Sequence, residues 1–474
     1  MKKKLNQGEG MRKYTVLAAV LLVTGIVTLS PAQTWTVEQV TDNTEPDKYP
    51  FVNAVSSGLM IVYMHNDGDD EVFYANNFSG SWNTSRITDN SRPDGGLDIA
   101  SNYNEEIAHI SIIWLETPDA EISYCTGSPG SWNTERVTDD AEVDAWPTLA
   151  IDKQGYIHMA FYKAVPGDRE IFYTNNTTGD WEFEQVTDNA TEDSYPWIAL
   201  DSDDNPHIVY ADATHLWYTE KTTGIWSTPE MITDGVGASS YPFLALDAED
   251  NCHVSYGKHD GADFEIYYAN NVTAGWPEAK VTTNDYDDMN PTLILDPNRD
   301  VHIAFMGGEP DKEIYYANNT SGIWTSSRIT DNSIDDNVKM GRFFAVCAGR
   351  IGHVFFWNNS DGDNEIYHAY SNSPLFEAVE ETAPVTTPLS IKLDRGISGS
   401  TVHYSIPHAG HVSLKVYDAS GSLIKTLVNS YRPEGNHTVI WNGETDDGVH
   451  AAPGVCFYHL VAGGQKTSAK AVLK

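Results

Sequence analysis

The sequence predicts an all-β protein, and two observations support this prediction. Short segments rich in Val, Ile, Tyr, Phe and Thr alternate apolar and polar residues from Trp35 to about Ser373, as half-buried strands do. These segments recur with a period of 45 to 50 residues, marked by seven tryptophans: Trp35, Trp82, Trp132, Trp181, Trp226, Trp276 and Trp324. A period of this length is typical of repeat architectures.

Each copy of the repeat contains four strands. In the copy that begins at Ser131 they cover residues 132–138, 147–152, 156–162 and 170–174. A tight turn containing Gly155 joins the inner strand to the second strand, which is typical of a hairpin. Seven four-stranded meanders at this spacing predict a seven-bladed β-propeller over residues 33–373, with the blades packed around an axis.

The two ends of the repeat region predict how the ring closes. The region begins with an isolated outer strand, residues 35–41, and ends with a third strand, residues 365–370. Because an incomplete blade would leave an exposed sheet edge, we expect residues 35–41 to supply the fourth strand of blade seven.

Residues 1–32 have the three parts of a secretory signal peptide. Five basic residues precede an apolar run from Tyr14 to Leu29, which ends at Ser30-Pro31-Ala32. The alternative, an uncleaved membrane anchor, needs a longer apolar span. We therefore expect cleavage after Ala32 and a mature protein that is secreted or displayed on the outer cell surface, and not an integral membrane protein.

Charge is distributed unevenly along the chain. The net charge is −39, with +4 in residues 1–32 and +2 in residues 391–474, so residues 33–390 carry −45. Phosphate binding depends on Lys and Arg, and this balance therefore excludes nucleic acid as an expected partner of the propeller.

The cysteines and the recurring histidines predict structural roles. Cys125, Cys252, Cys347 and Cys456 lack CxxC spacing, and we expect buried thiols and no metal site at cysteine, rather than a disulfide framework. A histidine also recurs near the start of the second strand in six blades, where we expect a structural hydrogen bond between blades: His109, His158, His207, His253, His302 and His353.

The chain changes character after the repeats. Residues 374–390 contain three prolines and no periodicity, which indicates a linker, and residues 391–474 resume alternating strands of a small β-sandwich. The quoted motifs of this tail are Tyr417-Asp418-Ala419-Ser420-Gly421, Trp441-Asn442-Gly443 and Gly454-Val455-Cys456-Phe457-Tyr458. With them the tail resembles the Ig-like domain of the flagellar-hook-capping family and the C-terminal sorting domain of type IX secretion. The resemblance implies export, with the secretion machinery as the partner of residues 391–474.

The propeller is similar in architecture to the broad sialidase-like and lectin-like group, although it lacks the S-x-D-x-G-x-x-W box of sialidases. A sialidase would need several arginines facing the channel to hold a carboxylate. Only Arg342 lies at an inner-strand position, and no catalytic residue can be singled out.

A candidate ligand site lies where the inner strands begin. An aromatic residue directly precedes the inner-strand proline in four blades, at Tyr49, Trp146, Tyr195 and Tyr241, and an aspartate lies three residues before the proline at Asp47, Asp144, Asp193 and Asp288. Aromatic rings and carboxylates together are typical of polar-ligand pockets, and sugars suit them well. The alternative is that the aromatic-proline pair only packs and starts a strand.

A candidate calcium site lies at the start of the third strand. The pattern Asp-x-Glu recurs there, and the best candidates as oxygen ligands are Asp69 with Glu71 and Asp363 with Glu365. Neither pair belongs to a complete calcium loop, and the alternative is an aspartate that caps its own turn.

The sequence thus predicts a secreted, non-enzymatic propeller that binds an extracellular glycan or protein ligand. The alternatives are a glycoside hydrolase or lyase of the sialidase-like propeller type, and a structural adhesion or surface-layer component.

Overall fold

The computed structural model describes residues 33–102, 104–115, 119–233, 239–360, 362–376, 389–395, 400–406, 410–432, 435–445, 449–462 and 465–473. The expected signal peptide and most of the expected linker lie outside these residues. The chain divides into two compact units between Glu377 and Ala378. Among the described residues, no helix has the length and apolar character needed to cross a membrane.

The first unit contains seven four-stranded antiparallel sheets within the described residues, and these are the blades of a propeller. The first strand of the chain, β1 (Trp35–Gln39), belongs to the last blade. Blade one contains β2 (Asp47–Val55), β3 (Gly58–Asn66), β4 (Asp70–Asn76) and β5 (Asn83–Arg86). Blade two contains β6 (Asp94–Ala100), β7 (Ala108–Leu115), β8 (Ala120–Ser128) and β9 (Ser131–Arg136). Blade three contains β10 (Asp144–Ile151), β11 (Ile157–Val165), β12 (Asp168–Asn175) and β13 (Glu182–Gln185).

The remaining blades repeat this order. Blade four contains β14 (Ser194–Leu200), β15 (Pro206–Ala211), β16 (Leu216–Glu220) and β17 (Glu230–Met231). Blade five contains β18 (Ser239–Leu246), β19 (Cys252–His259), β20 (Phe264–Asn270) and β21 (Glu278–Lys280). Blade six contains β22 (Met289–Leu295), β23 (Val301–Gly307), β24 (Glu313–Asn318) and β25 (Thr325–Arg328). Blade seven contains β26 (Phe344–Val346), a short 3-10 turn (Ala348–Arg350), β27 (Gly352–Asn358) and β28 (Glu365–Ser371).

The ring closes as the sequence predicts. Strand β1 pairs antiparallel with β28, with Val37 opposite Ala369, and completes the order β26, β27, β28, β1 in blade seven. The backbone N–H of Asn43 also donates to the Glu365 carboxylate at 2.9 Å. Both ends of the repeat region therefore share one blade.

The repeating tryptophans explain the period of the sequence. Each lies at or beside an outer strand, and six of them pack against a tyrosine on the third strand of the preceding blade. In one example, the rings of Trp132 and Tyr74 lie 5.1 Å apart at 62°. Trp82 instead contacts His368 of blade seven. Because each copy must present the same aromatic to its neighbour, the tryptophan recurs once per blade.

The second unit has the two sheets of an Ig-like sandwich. Its strands are β29 (Ser390–Arg395), β30 (Ser400–Ile406), β31 (Gly410–Asp418), β32 (Leu423–Arg432), β33 (Gly435–Trp441), β34 (Gly454–Ala462) and β35 (Gln465–Leu473). One sheet has the order β29-β30-β33 and the other β32-β31-β34-β35. Trp441 and Tyr458 lie fully buried in the core between them. Cys456 is also buried there.

Candidate functional site

The candidate site lies where the backbone of the inner strands is irregular, near the start of the strand. In blades one to six, the pairing of the inner strand with the second strand shifts by one residue, as in a β-bulge. Tyr49, Trp146, Tyr195 and Tyr241 all lie at this position with φ between 53° and 58°, in the left-handed region. Non-glycine residues rarely adopt this conformation, and it often marks functional sites.

The bulge brings the four predicted aromatics together, and we name them, with Lys339, the aromatic mouth. The Trp146 and Tyr195 rings meet edge to face at 5.4 Å, and the Tyr195 and Tyr241 rings at 5.0 Å. Each of the four side chains is partly exposed. Blade two has Gly96 at this position, where a Cβ atom would lie 2.0 Å from the Ile113 side chain. The aromatics therefore form an incomplete ring.

Lys339 fills the gap in this ring. The Lys339 ammonium lies 4.3 Å from the Tyr49 ring centre and 4.9 Å from that of Trp146, within cation–π range. Burial lowers the pKa of Lys339. The cavity that Lys339 lines holds about 20 Å³, room for about one water molecule, so a larger ligand would have to bind on the exposed side of the rings.

The predicted aspartates lie below the mouth rather than in it. Asp47, Asp144, Asp193 and Asp288 are at most 1% exposed. Asp47, Asp193 and Asp288 each accept a hydrogen bond from an asparagine four residues earlier, such as Asn284 to Asp288 at 2.7 Å. Asp144 instead faces Lys163 at 3.3 Å. The carboxylates of Asp47, Asp193 and Asp288 therefore hold the loops that lead into their inner strands, and of the predicted ligand residues only the aromatics reach solvent.

The buried aspartates bind protons more tightly than exposed ones. Burial, opposed in part by hydrogen bonds and ion pairs, raises the pKa of Asp144 and Asp288 to about 7 and that of Asp193 to about 6. Burial also raises the pKa of two equivalent residues, Asp94 to about 7 and Asp336 to about 6. Each blade junction with such an aspartate therefore contains a carboxyl group that can hold a proton near neutral pH.

The glutamates of the predicted calcium site anchor the same loops. Glu71 accepts the backbone N–H of Asn90 at 2.9 Å and pairs with Arg86 at 2.9 Å. Glu365 accepts from Asn43 and from the Thr41 hydroxyl. Asp69 and Asp363 are partly exposed beside them. A calcium ion at these pairs remains a prediction, and it would compete with the loop for the glutamate oxygens.

Another acidic group lies in blade five. Among the described residues, Asp260, Asp263 and Glu265 are the one set of three His, Cys, Asp or Glu side chains close enough to share a metal ion. Lys280 occupies this group, with its ammonium 2.7 Å from Asp260 and 3.0 Å from Glu265. A resident cation therefore already balances these carboxylates.

The sequence signal for this architecture is the string Thr-Asp-Asn-x-x-x-Asp. It recurs at residues 41–47, 88–94, 187–193 and 330–336. Its threonine hydroxyl accepts a third-strand N–H, as in Ile171 to Thr187 at 2.9 Å, and its asparagine binds the final aspartate. Four repeats of one polar string could have indicated buried structural carboxylates.

A separate cavity occupies the axis of the propeller. Its volume is about 480 Å³, within the range of small-molecule pockets, and most of the residues that line it are apolar residues of the inner strands. Arg342 lies in it, 5.5 Å from the Trp197 ring centre, with Nε 3.7 Å from Asp98 and no hydrogen-bond partner for that nitrogen. The channel could therefore hold an anionic group against Arg342.

The recurring histidines make the expected structural hydrogen bonds, but within one blade rather than between blades. Nδ1 of His158 lies 2.6 Å from the hydroxyl of Tyr173, on the adjacent strand. The same pair recurs in four more blades. The tyrosine in turn packs against the tryptophan of the next blade, as Tyr173 does against Trp226. The sequence could not show this, because the partner depends on strand register.

None of the four cysteines in the described part of the chain forms a disulfide. Cys125, Cys252 and Cys456 are buried, as expected, whereas Cys347 is only partly buried.

Comparisons with known proteins agree with both units. Residues 391–467 match the family model of the FlgD Ig-like domain. No curated protein matches the chain. Among solved structures, a PL25 ulvan lyase is similar with a TM-score of 0.51 and 11% identity, covering 69% of this chain and 94% of that one.

Two further structures are also similar. The ulvan lyase bound to a GlcA(1-4)Rha3S saccharide has a TM-score of 0.51 and 11% identity, covering 69% of this chain and 95% of that one. The polysaccharide lyase Uly1 has a TM-score of 0.44 and 8% identity, covering 70% and 91%. At these identities the likeness shows the fold alone.

Proposed function

We propose that the propeller binds a polysaccharide across the aromatic mouth. The observation that supports this most directly is a row of partly exposed aromatics in a strained left-handed conformation, in which Trp146, Tyr195 and Tyr241 contact one another and Lys339 lies over Tyr49 and Trp146. Strain of this kind persists where the surrounding structure fixes it, and such positions cluster at ligand sites. Ring faces can stack on sugars, and the Lys339 ammonium can donate to hydroxyl or carboxylate oxygens.

A second candidate is cleavage of the bound polysaccharide, as in the lyase or glycoside hydrolase alternative. Two observations favour it: the fold is shared with a polysaccharide lyase, and burial lowers the pKa of Lys339, which favours the neutral amine that a general base requires. A base at this position could take the proton next to a uronate carboxylate and start an elimination.

The test measures binding and cleavage on one panel of neutral and uronate-containing polysaccharides. We expect Trp146→Ala to weaken binding at least about tenfold, because truncating a tryptophan at the centre of a site often costs that much. The matched control is Tyr156→Ala. This variant also removes an exposed aromatic, but from the turn between β10 and β11, at the other end of the inner strand.

The outcomes separate the candidates. If wild type and Trp146→Ala bind the polysaccharide equally well, the aromatic mouth is not the binding site. Unsaturated products formed by wild type, and not by a folded Lys339→Met variant, would establish cleavage at this site. Binding without any product would leave the non-enzymatic function.

A further inference from the structure

The cavity on the axis of the propeller, which we name the axial cavity, contains one charged side chain. Inner-strand residues of all seven blades line it, and most of them are apolar. Among these lining residues of the described chain, Arg342 alone carries a charge. Residues 33–390 have a net charge of −45, so a positive group at their centre is a local exception. An arginine in an apolar cavity needs an anionic partner.

Arg342 takes the place of a proline that recurs in the other blades. By the register of the inner strand with the second strand, Arg342 corresponds to Pro196 of blade four, since each lies three residues before an alanine opposite the recurring histidine. Four more blades have a proline at this position: Pro50, Pro147, Pro242 and Pro291. The blade pattern therefore does not account for the arginine.

Three other blades hold the guanidinium of Arg342 in place. Its Cζ lies 5.5 Å from the ring centre of Trp197 in blade four and 6.0 Å from that of Phe243 in blade five, within cation–π range. Its Nε lies 3.7 Å from the buried Asp98 of blade two, which also accepts a backbone N–H from blade three at 3.0 Å. The side chain therefore extends from blade seven across the axis.

One edge of this guanidinium is free to bind a ligand. The Arg342 side chain is 27% exposed, and of its three nitrogens only Nε is covered by protein. Among the described residues, neither Nη1 nor Nη2 has a hydrogen-bond partner. These two nitrogens form an edge that can hold a carboxylate through two parallel hydrogen bonds.

We propose that the axial cavity binds a small monocarboxylate with an apolar body. The carboxylate accepts hydrogen bonds from Nη1 and Nη2 of Arg342, and the apolar body lies against wall residues such as Ala199, Ala245 and Leu295. The volume of about 480 Å³ admits a ligand of the size of benzoate or octanoate. A doubly charged anion fits less well, because one arginine balances one charge and Asp98 lies close to it.

The axial cavity is a different site from the aromatic mouth. Of the described residues, the buried Trp197 alone lines both the axial cavity and the small cavity beside Lys339. The axial cavity extends to Leu246, the last residue of β18, whereas Tyr241 of the mouth lies near the start of that strand. The carboxylate therefore enters from the end of the propeller opposite the mouth, and its binding does not depend on a polysaccharide.

The test is a calorimetric titration of the purified protein with benzoate and octanoate, with benzyl alcohol as the neutral control for benzoate. We expect one benzoate per chain and at least about tenfold weaker binding of benzyl alcohol, because hydrogen bonds to a charged group contribute that much. Arg342→Met should weaken benzoate binding at least about tenfold, and Arg342→Lys less, because a charge remains. Ala199→Phe fills part of the cavity, leaves the arginine in place and should also weaken binding.

A further variant separates the two cationic sites. Lys339→Met should keep the wild-type affinity for benzoate, because Lys339 belongs to the mouth. The proposal is overturned if wild type binds neither carboxylate at millimolar concentrations, if benzyl alcohol binds as tightly as benzoate, or if chloride displaces benzoate as effectively as octanoate does. Loss of benzoate binding in Lys339→Met, with wild-type binding in a folded Arg342→Met, would equally overturn it. If Arg342→Met does not fold, the comparison of benzoate with benzyl alcohol and the Ala199→Phe variant still decide.

Discussion

At the scale of single residues, buried aspartates at the blade junctions bind protons more tightly than exposed aspartates do. Asp288 is fully buried, and Asn284 donates to one of its oxygens while the other has no hydrogen-bond partner. Burial raises its pKa to about 7. The folded protein therefore holds this proton more tightly than the unfolded chain, and its contribution to stability is lost as pH rises from about 4 to about 7. Buried neutral histidines such as His302, whose pKa burial lowers to about 4, act in the opposite direction below pH 6.5.

A single variant isolates the aspartate contribution. Asp288→Asn removes the titrating proton and keeps an oxygen that can accept from Asn284. Relative to wild type, its free energy of unfolding should increase by about 2 kcal/mol between pH 5 and pH 8, because the wild type also loses the contribution of the Asp288 proton there. Urea unfolding at both pH values measures this. Asp285→Asn, an exposed change in the same loop, is the control, and a pH-independent difference for Asp288→Asn would contradict the assignment.

At the scale of elements, strand β1 closes the ring although it has only five residues. Its five residues pair with β28 and cover the edge of the last blade, and Trp35 packs on Tyr316 of the neighbouring blade at 5.5 Å. Glu38 also accepts a hydrogen bond from Trp82 of blade one at 3.2 Å. Strand β1 therefore connects blades six, seven and one.

Deleting residues 35–41 should lower the melting temperature by roughly 10 °C, since several kcal/mol of pairing and packing are lost. A synthetic peptide of residues 33–41 should restore most of the loss, and a scrambled peptide should not. Calorimetry would measure both. An unchanged melting temperature after the deletion would show that ring closure does not depend on this strand.

The elements themselves were largely predictable from sequence. Trp132 and its equivalents revealed the blade period because every junction needs the same contact with a tyrosine. Trp146 and Tyr195 were placed at the mouth because each precedes an inner-strand proline. The burial of Asp193 did not follow from its chemistry, because an aspartate is normally exposed, and the sequence signal for it was the repeated string in which Asn189 binds this aspartate. Lys339 was missed for a related reason, since it contacts Tyr49 and Trp146 from a distant part of the chain.

At the scale of the whole molecule, the propeller and the Ig-like unit each have a complete core. Trp441, Tyr458 and Leu414 belong to the core of the second unit, and the propeller closes on itself through β1. Each unit therefore has the buried apolar surface that a domain needs to fold alone. We propose that residues 391–474 serve export, as their resemblance to sorting domains implies.

Removing residues 378–474 should leave the melting temperature of the propeller within a few degrees of the full chain, because its core is intact. In a bacterium that exports the full-length protein, the shortened protein should remain in the periplasm and not reach the cell surface or the medium. Cell fractionation with an antibody to the propeller measures this. Normal delivery of the folded, shortened protein would contradict the export proposal, and an unfolded propeller would contradict its independence.

The strand that completes the ring is also the first part of the propeller to be synthesised. Glu38 and His368, which meet at the closure, are 330 residues apart. At about 5 to 20 residues per second, the ribosome needs roughly 15 to 65 seconds to make the partner of β1. During that time β1 has no sheet to join, and its Trp35 and Val37 are open to other chains. The polar Glu38 and Gln39 beside them should limit such pairing, because charged and polar residues discourage association at strand edges.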